Sequence, residues 1–169
     1  MANRPLKIIG SVALISVGGR VDVPAKIDTG ADSSSIWATK IKVGKDGVLS
    51  FALFGEGSPF YTGKILKRTD YEVAVVRSAT GEEQIRYRTH LQIKIKGRKI
   101  NALFNLSNRS RNNAPVLIGK RTIRGKFAVD VSKTALKLSK NPRTSSLNAE
   151  LKKDPYKFYK KYHKKGAKK

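Results

Sequence analysis

The chain has 169 residues and a mass of 18.7 kDa, which suits one domain with a single modest core. It carries 36 Lys and Arg against 12 Asp and Glu, a net charge of +24, so an acidic partner or substrate is the first expectation. The lack of cysteine excludes a disulfide framework, a thiolate zinc site and a cysteine nucleophile.

The N-terminal stretch "MANRPLKIIGSVALISVGG" has a basic start and a short apolar run, which are features of a signal peptide. However, "VDVPAKID" continues a strand-like pattern and no A-x-A cleavage signal is present, so we interpret the stretch as a first strand. No apolar run approaches the ~18 residues of a membrane span. We therefore expect a cytoplasmic protein without a membrane segment.

Short apolar runs recur between Gly, Asn and Asp turn signals, a pattern typical of an all-β barrel. The runs are "IIGSVALISV", "VDVPAKI", "VLSFALF", "YEVAVVRS", "EQIRYRTHLQIKIKG", "RKINALFNLS", "APVLIG" and "KFAVDVS". Within "THLQIKIKG", Leu91, Ile93 and Ile95 alternate with polar residues, which predicts a half-buried strand with a basic outer face.

Two shorter signals interrupt these runs. The segment "VRSATGEEQIRY" predicts a hairpin that turns near Thr80 and Gly81. The segment "GKRTIRG", residues 119–125, follows an apolar strand directly and predicts one short helix.

The composition changes after about Ser132. Residues 150–169 contain nine Lys and two acids, a net charge of +7, with Tyr156, Phe158, Tyr159 and Tyr162 between the lysines. This segment lacks the apolar stripe of a core helix, so we expect a tail that is disordered or folds on a partner. The predicted organisation is a domain over residues 1–140 and a Lys-rich tail over residues 141–169.

The stretch "PAKIDTGADSSSIWA" places a carboxylate at the end of an apolar strand. Gly30 lets the backbone curl so that amide N–H groups point at Asp28, and the Thr29 hydroxyl can bond to nearby backbone and fix the loop. Activation of water requires two carboxylates, because two at contact distance share one proton and so provide an acid and a base. One such motif per chain therefore predicts a homodimer, with the two copies of Asp28 on its two-fold axis.

The segment "AKIDTGADSSSIWA" resembles the active-site segment of retropepsin-like aspartic proteases, and "PVLIGKRTI" resembles their second signature. The segments "FALFGEGSPFYTG", "VVRSATGEEQIRYRTHLQIKIKGRKI", "NLSNRS" and "GKFAVDVSK" resemble the bacterial RimK-associated (RimB-type) branch, often labelled an ATP-dependent zinc protease. The similarity runs from about Ile8 to Lys133. It implies a retropepsin-like barrel and an aspartic endopeptidase whose catalytic motif is Asp28, Thr29 and Gly30.

The resemblance also implies a substrate class. Members of this branch are associated with the ligase that adds glutamates to a small-subunit ribosomal protein, so the implied reaction is the trimming of glutamate-rich tails. The charge of +24 fits this independently, because a basic cleft concentrates acidic peptides.

Substrate contacts are expected from Ala31, directly after the motif, and from the hairpin. The hairpin is a candidate flap that would cover the site and exclude water, although it also fits an ordinary hairpin of the sheet. Its residues Arg77, Ser78, Arg86 and Arg88 are the expected contacts to an acidic substrate.

The zinc and ATP parts of the family label have no support in the sequence. There is no H-E-x-x-H motif, and the two histidines, His90 and His163, lie in a predicted surface strand and in the lysine tail. No Gly-rich loop with Lys-Ser/Thr is present for ATP. We therefore expect no metal ligands and no cofactor.

Other polar residues near the motif have structural interpretations. Asp32 is expected to pair with a nearby Lys or Arg rather than to act as a second catalytic carboxylate. Ser33, Ser34 and Ser35 lack a nearby His and a nucleophile elbow, so we interpret them as small residues in a packed turn.

A second class of function stays open on the sequence. A non-catalytic β-barrel could bind RNA, the ribosome or another polyanion, with the basic, tyrosine-containing tail as its contact.

Overall fold

The computed structural model describes residues 5–77, 81–138 and 142–163. The chain divides into two compact units, Met1–Lys137 and Leu138–Lys169. The domain assignment of residues 1–140 and 141–169 stays a prediction. Ser78 and Thr80 lie outside the described residues.

The first unit is built almost entirely from strands. The described residues contain β1 (Lys7–Ile9), β2 (Val12–Val17), β3 (Arg20–Asp28), β4 (Ser34–Val43), β5 (Leu49–Leu53), β6 (Ile65–Arg68), β7 (Glu72–Arg77), β8 (Glu83–Ile95), β9 (Arg98–Ser107), β10 (Val116–Gly119) and β11 (Phe127–Val129). One short helix, α1 (Lys120–Ile123), lies inside the predicted range 119–125.

Six of the strands close into a barrel. They are hydrogen-bonded in the order β10-β3-β2-β8-β9-β4, and β4 pairs back onto β10. β5 and β6 extend the sheet from β4, β7 forms a hairpin with β8, and β1 pairs with β11 in a separate two-stranded sheet. The predicted all-β barrel is confirmed.

The core lies inside this barrel. Ile15, Val23, Ile36 and Phe104 are fully buried on barrel strands, and Phe51 of β5 belongs to the same buried cluster. The apolar side chains of β8 alternate as expected, since its buried residues are separated by exposed Gln and Lys side chains. Burial of each large apolar side chain contributes about 1.5–3 kcal/mol of transfer free energy, which favours closure of the barrel.

Two strands do not appear among the predicted runs, β4 and β6. β4 begins inside the serine run, so the predicted packed turn is wrong for Ser34 and Ser35. The segment is a strand because β9 and β10 pair with it on either side. Ser33 lies just before the strand, in a bend.

The second unit contains two helices, α2 (Pro142–Lys153) and α3 (Pro155–His163). Glu150 joins them, because its carboxylate accepts hydrogen bonds from Lys161 Nζ at 2.6 Å and from Tyr162 Oη at 3.0 Å. The Asp154 carboxylate accepts the Lys157 N–H at 2.9 Å at the start of α3. Where the structure describes it, over residues 142–163, the segment expected to be disordered or to fold on a partner is thus helical in the single chain.

Among the described residues, no helix is both long enough and apolar enough to cross a membrane.

Candidate active site

Asp28 is the last residue of β3 and its side chain is half-buried. Its Oδ1 atom accepts hydrogen bonds from the backbone N–H of Gly30 at 3.1 Å and of Ala31 at 3.2 Å. The expectation that amide groups after the motif point at this carboxylate is confirmed. The two bonds orient the carboxylate at the end of the strand.

The roles of Gly30 and Thr29 differ from those expected. Gly30 does not adopt a left-handed conformation, and a Cβ there would make only an ordinary contact, 3.4 Å from Asp28 Oδ1, so neither backbone conformation nor space demands a glycine. Thr29 is exposed, and its hydroxyl has no hydrogen-bond partner among the residues the structure describes. The expectation that Thr29 fixes the loop within one chain is therefore wrong.

The loop is held instead by the segment where β10 runs into α1. Gly119 pairs with Asp28 in the parallel β10–β3 ladder, and Lys120 N–H donates to Ala31 O at 2.8 Å. A Cβ on Gly119 would lie 2.5 Å from Ser33 O and 2.8 Å from Ala31 O. Sequence reasoning missed this role of Gly119, although the glycine after "PVLI" in the second signature marked the position.

A buried hydroxyl pair fastens α1 to β4. Ser34 Oγ lies 2.7 Å from Thr122 Oγ1, and it accepts the Gly119 N–H at 3.1 Å. All three residues are buried, so these bonds satisfy polar groups that water does not reach. The serine run therefore supports the loop that carries Asp28.

Asp32 forms an exposed ion pair with Lys120, at 2.6 Å between Oδ1 and Nζ. The hydrogen bond and the charge of Lys120 lower the pKa of the Asp32 carboxyl below its usual range. The prediction that Asp32 pairs with a nearby cation is confirmed.

A row of polar side chains crosses β4 and β9 beside the loop. Asn105 Nδ2 donates to Ser33 Oγ at 2.9 Å, and Ser35 Oγ lies 2.7 Å from Ser107 Oγ. Asn105 is 4% exposed, and its Oδ1 has no hydrogen-bond partner among the described residues.

The candidate flap is the β7–β8 hairpin, whose strands pair from Glu72 and Arg88 to Arg77 and Glu83. Arg77 forms an exposed ion pair with Glu83. Arg88 Nε lies 2.6 Å from Glu72 Oε1, a close ion pair without the direction of a hydrogen bond. These two predicted substrate contacts thus have acidic partners in the hairpin itself.

Arg86 differs from its two neighbours on the hairpin, because its guanidinium donates to a neutral acceptor, Gln84 Oε1, at 2.9 and 3.3 Å. A further arginine that sequence reasoning missed, Arg109, follows β9 and donates from Nε to Ala114 O at 3.2 Å. Burial lowers the pKa of the Arg109 guanidinium, and the positive charge of Arg86 lowers it further.

In the described part of the chain, no three His, Cys, Asp or Glu side chains converge in a way that would hold a metal ion. His90 is an exposed residue of β8, as expected, and His163 is exposed on α3. The groups that donate hydrogen bonds to the Asp28 carboxylate are the backbone amides of Gly30 and Ala31.

The comparisons with known proteins agree with this geometry. A family model described as RimB-like, retropepsin-like aspartic endopeptidase RimB, matches residues 8–140. The chain belongs to this family. This supports, at the level of the family, an aspartic-type peptidase with a peptide substrate on a retropepsin-like barrel. The matched range holds Asp28, its loop and the β10–α1 segment, and it ends before α2.

A solved structure is also similar to the chain. It is the crystal structure of a protein of unknown function (DUF785) from Legionella pneumophila, with 27% sequence identity and a TM-score of 0.55. The alignment covers 76% of this chain and 95% of that chain. No curated protein matches the chain significantly.

Proposed function

We propose that the protein is a homodimeric aspartic endopeptidase in which the Asp28 carboxylates of two copies bind and activate one water molecule. The observation that carries this proposal is the Asp28 loop, where two amide N–H groups hold one carboxylate oxygen at the end of a barrel strand. The chain supplies this carboxylate once, and peptide hydrolysis of this type requires two. A second copy provides the other one.

In the proposed reaction, one ionised carboxylate takes a proton from the water, which attacks the peptide carbonyl carbon. The protonated carboxyl of the other copy donates its proton to the carbonyl oxygen. The C–N bond of the resulting adduct then breaks, and the leaving nitrogen takes the proton that the first carboxylate accepted from water. The Gly30 and Ala31 amides keep each carboxylate in place, and the β10–α1 segment keeps the amides in place. The exposed Thr29 lies next to this carboxylate on a surface that a second copy would cover.

The proposed substrates are acidic peptide segments, in particular glutamate-rich tails of proteins. Support comes from the net charge of +24 and from the resemblance of the sequence segments to the RimK-associated branch. Ala31 and the hairpin residues Arg77, Arg86 and Arg88 are proposed as the substrate contacts, with the hairpin as a flap. Ser78, the fifth predicted contact, lies outside the described residues.

The test replaces Asp28 with Asn in the full chain and measures cleavage of a glutamate-rich peptide by mass spectrometry. Asp28→Asn keeps the shape of the side chain but cannot take a proton from water, so cleavage should fall to background while the dimer persists in light scattering. The matched control is Asp32→Asn, four residues on, whose carboxylate pairs with Lys120 rather than with the reacting water. It should keep most of the activity.

Two results would contradict the proposal. One is cleavage of the glutamate-rich peptide by the Asp28→Asn variant at the wild-type rate. The other is activity per chain that stays constant on dilution from dimer to monomer, because a shared dyad requires activity to fall faster than the protein concentration.

A second candidate function, polyanion binding, is favoured by the surface of α3. Tyr156 and Tyr159 are 67% and 56% exposed on this helix. Lys160 Nζ lies 4.4 Å from the Tyr156 ring centroid, and the His163 ring stacks on Tyr159 with centroids 6.0 Å apart. Exposed rings beside cations are the elements that bind unpaired bases of RNA. We propose this surface as an additional contact to RNA, in the ribosome or free.

A further inference from the structure

The middle of the chain is basic without interruption by acids. Residues 84–129 contain twelve Lys and Arg and no Asp or Glu. They supply nearly all of β8 and the whole of β9, which are neighbours in the barrel. Much of the excess positive charge of the first unit therefore belongs to adjacent strands.

A row of polar side chains crosses four neighbouring strands on the outside of the barrel. Ser16 of β2 is opposite Lys94 of β8, and Lys94 is opposite Lys99 of β9. Arg20, the first residue of β3, is opposite Val17, the residue after Ser16. Lys94 and Lys99 are exposed, and Ser16 and Arg20 are partly exposed. With strands about 4.8 Å apart, the row is about 14 Å long.

The row lines one open cavity of about 420 Å³, together with the exposed side chains of Gln92 and Asn101. We call the surface formed by Ser16, Arg20, Gln92, Lys94, Lys99 and Asn101 the β8–β9 face. Among the described residues, no Asp, Glu, Phe, Tyr or Trp lines this cavity. A second cavity shares Lys99 and Asn101 with it and adds His90, Arg121 and Lys126. The basic surface thus continues from the row toward α1.

The two lysines at the centre of the row have no acidic partner. Within residues 5–77, 81–138 and 142–163, Lys94 and Lys99 form no ion pair, and their ammonium groups donate no hydrogen bond. Asp22, two residues after Arg20, does not line the cavity. Like charges directly opposite each other on paired strands repel. An anion bound across the row would remove this repulsion.

The extent and composition of the β8–β9 face favour a nucleic acid duplex over an acidic peptide. Its cations extend in two directions, about 14 Å along the row and into the second cavity as far as Lys126, whereas an extended peptide about 5 Å wide follows only one of them. Lys, Arg, Ser, Asn and Gln side chains are those that bind phosphate and sugar groups. In the described part of the face, no Phe, Tyr or Trp is present for the stacking that binds single strands.

The shape of the face favours RNA over DNA as this duplex. Sequence is read in the major groove of DNA, which is about 12 Å wide and admits a helix or a two-stranded ribbon. A face that is four strands wide does not enter such a groove. Double-stranded RNA presents a wide, shallow minor groove with 2′-hydroxyls, which both donate and accept hydrogen bonds. The Ser, Gln and Asn side chains beside the lysines match these hydroxyls, and the lysines match the flanking phosphates.

We propose that the β8–β9 face binds the backbone of double-stranded RNA, with Lys94 and Lys99 on phosphates. This surface differs from α3, whose exposed rings suit unpaired bases, and its role does not depend on the activity of Asp28. Phosphates and 2′-hydroxyls are the same at every base pair, so the binding is independent of base sequence.

Binding is measured with the full chain and a fluorescein-labelled RNA duplex of about 16 base pairs, which presents two successive minor grooves. Anisotropy titrations are carried out over a series of salt concentrations. Lys94→Gln/Lys99→Gln should raise the Kd about 10-fold. It should also reduce the slope of log Kd against log salt concentration by about 2, because each lysine neutralises one phosphate.

The matched control is Lys42→Gln/Lys67→Gln. These exposed lysines lie on either side of Ser50 in the ladders of β4, β5 and β6, but the cavity they line also contains Asp46. The control loses the same two charges, so its Kd should change less than about 2-fold and its salt slope should stay the same. Equal losses in the two double variants would mean that net charge alone attracts the RNA, and would overturn the proposal. An unchanged Kd in Lys94→Gln/Lys99→Gln would overturn it as well.

Two further probes test the choice of ligand. A DNA duplex of the same sequence should bind more weakly than the RNA duplex, and equal Kd values would reject RNA as the specific ligand of the face. Labelled hexaglutamate should bind equally to the two double variants. If Lys94→Gln/Lys99→Gln instead loses hexaglutamate binding and keeps RNA binding, the face belongs to an acidic peptide and the proposal is wrong.

Lys99→Glu separates a binding role from a structural one. It places a carboxylate opposite Lys94, and opposite charges at directly paired positions stabilise a sheet. The variant should therefore melt no lower than wild type, while its Kd for the RNA duplex rises at least as much as in Lys94→Gln/Lys99→Gln. A lower Tm together with unchanged RNA binding would assign Lys99 a structural role and reject the proposed contact.

Discussion

Gly119→Ala tests whether the close packing of β10 against the Asp28 loop is essential to the fold. The new Cβ would lie 2.5 Å from Ser33 O, 2.6 Å from Ser33 C and 2.8 Å from Ala31 O. All three are backbone atoms, so no side-chain rotation relieves the contact. Gly119 is buried and hydrogen-bonded to Ser34, which holds it in place.

The magnitude follows from these distances. Ordinary contact begins near 3.4 Å, so the backbone at Ser33 must move by about 0.9 Å relative to Gly119. Overpacking typically costs about 1–3 kcal/mol, and rigid backbone on both sides places this site near the upper value. With an unfolding entropy of about 2.1 cal/mol/K per residue over the 137 residues of the first unit, a loss of 3 kcal/mol lowers the Tm by about 10 °C.

The assay is thermal unfolding of the full chain followed by circular dichroism. Gly44→Ala is the matched control, because its Cβ would also meet an atom at 2.5 Å, but that atom is Oδ1 of the exposed Asp46 side chain. Rotation of the Asp46 side chain relieves the contact but breaks its hydrogen bond from the Val48 N–H. This loss costs about 1 kcal/mol and lowers the Tm by about 3 °C. The reasoning is refuted if the Tm falls by the same amount in both variants, or if Gly119→Ala melts within about 2 °C of wild type.

Two other predictions concern the loop and α3. Lys120 lowers the pKa of Asp32 from its ordinary value of 3.8. The ion pair therefore stabilises the fold above about pH 3.8, and this contribution is lost as the pH falls through the lowered pKa. Lys120→Met should therefore melt below wild type at about pH 7 and together with it in strong acid; an equal difference at both pH values would contradict this. Replacement of Tyr156 and Tyr159 by Ala should weaken binding to a single-stranded RNA oligonucleotide about 10-fold or more and leave the salt dependence unchanged. Unchanged binding, measured by filter retention, would remove α3 as an RNA contact.

The strands that alternate or form long apolar runs were predictable from the sequence, because burial of one or both faces of a strand dictates its residues. β8 is the clearest case, with Leu91, Ile93 and Ile95 buried and the residues between them exposed. The Asp28 loop was also predictable, since a strand that ends in Asp-Thr-Gly leaves amides free to point at the carboxylate. Both features depend on contacts local in sequence.

β4 and its serines were not predictable in this way. The sequence predicts Ser34 and Ser35 as turn residues, because small hydroxyl side chains favour turns where water can serve as their hydrogen-bond partner. In the barrel their partners are Thr122 and Ser107, which lie far away in the chain and replace water. The pairing of β4 with β9 and β10 therefore outweighs the turn propensity of these serines.

The sequence by itself determined an all-β barrel over the first unit, one Asp-Thr-Gly motif at the end of a strand and a strongly positive net charge. Only the tertiary structure decided which groups surround the carboxylate of this motif. Gly119 lies against Ser33 and Ala31, and the charge of Arg86 lowers the pKa of Arg109, because the closed barrel brings β10 beside β3 and pairs β8 with β9. Charge repulsion and backbone contact depend on distance in space, which no pattern along the chain records.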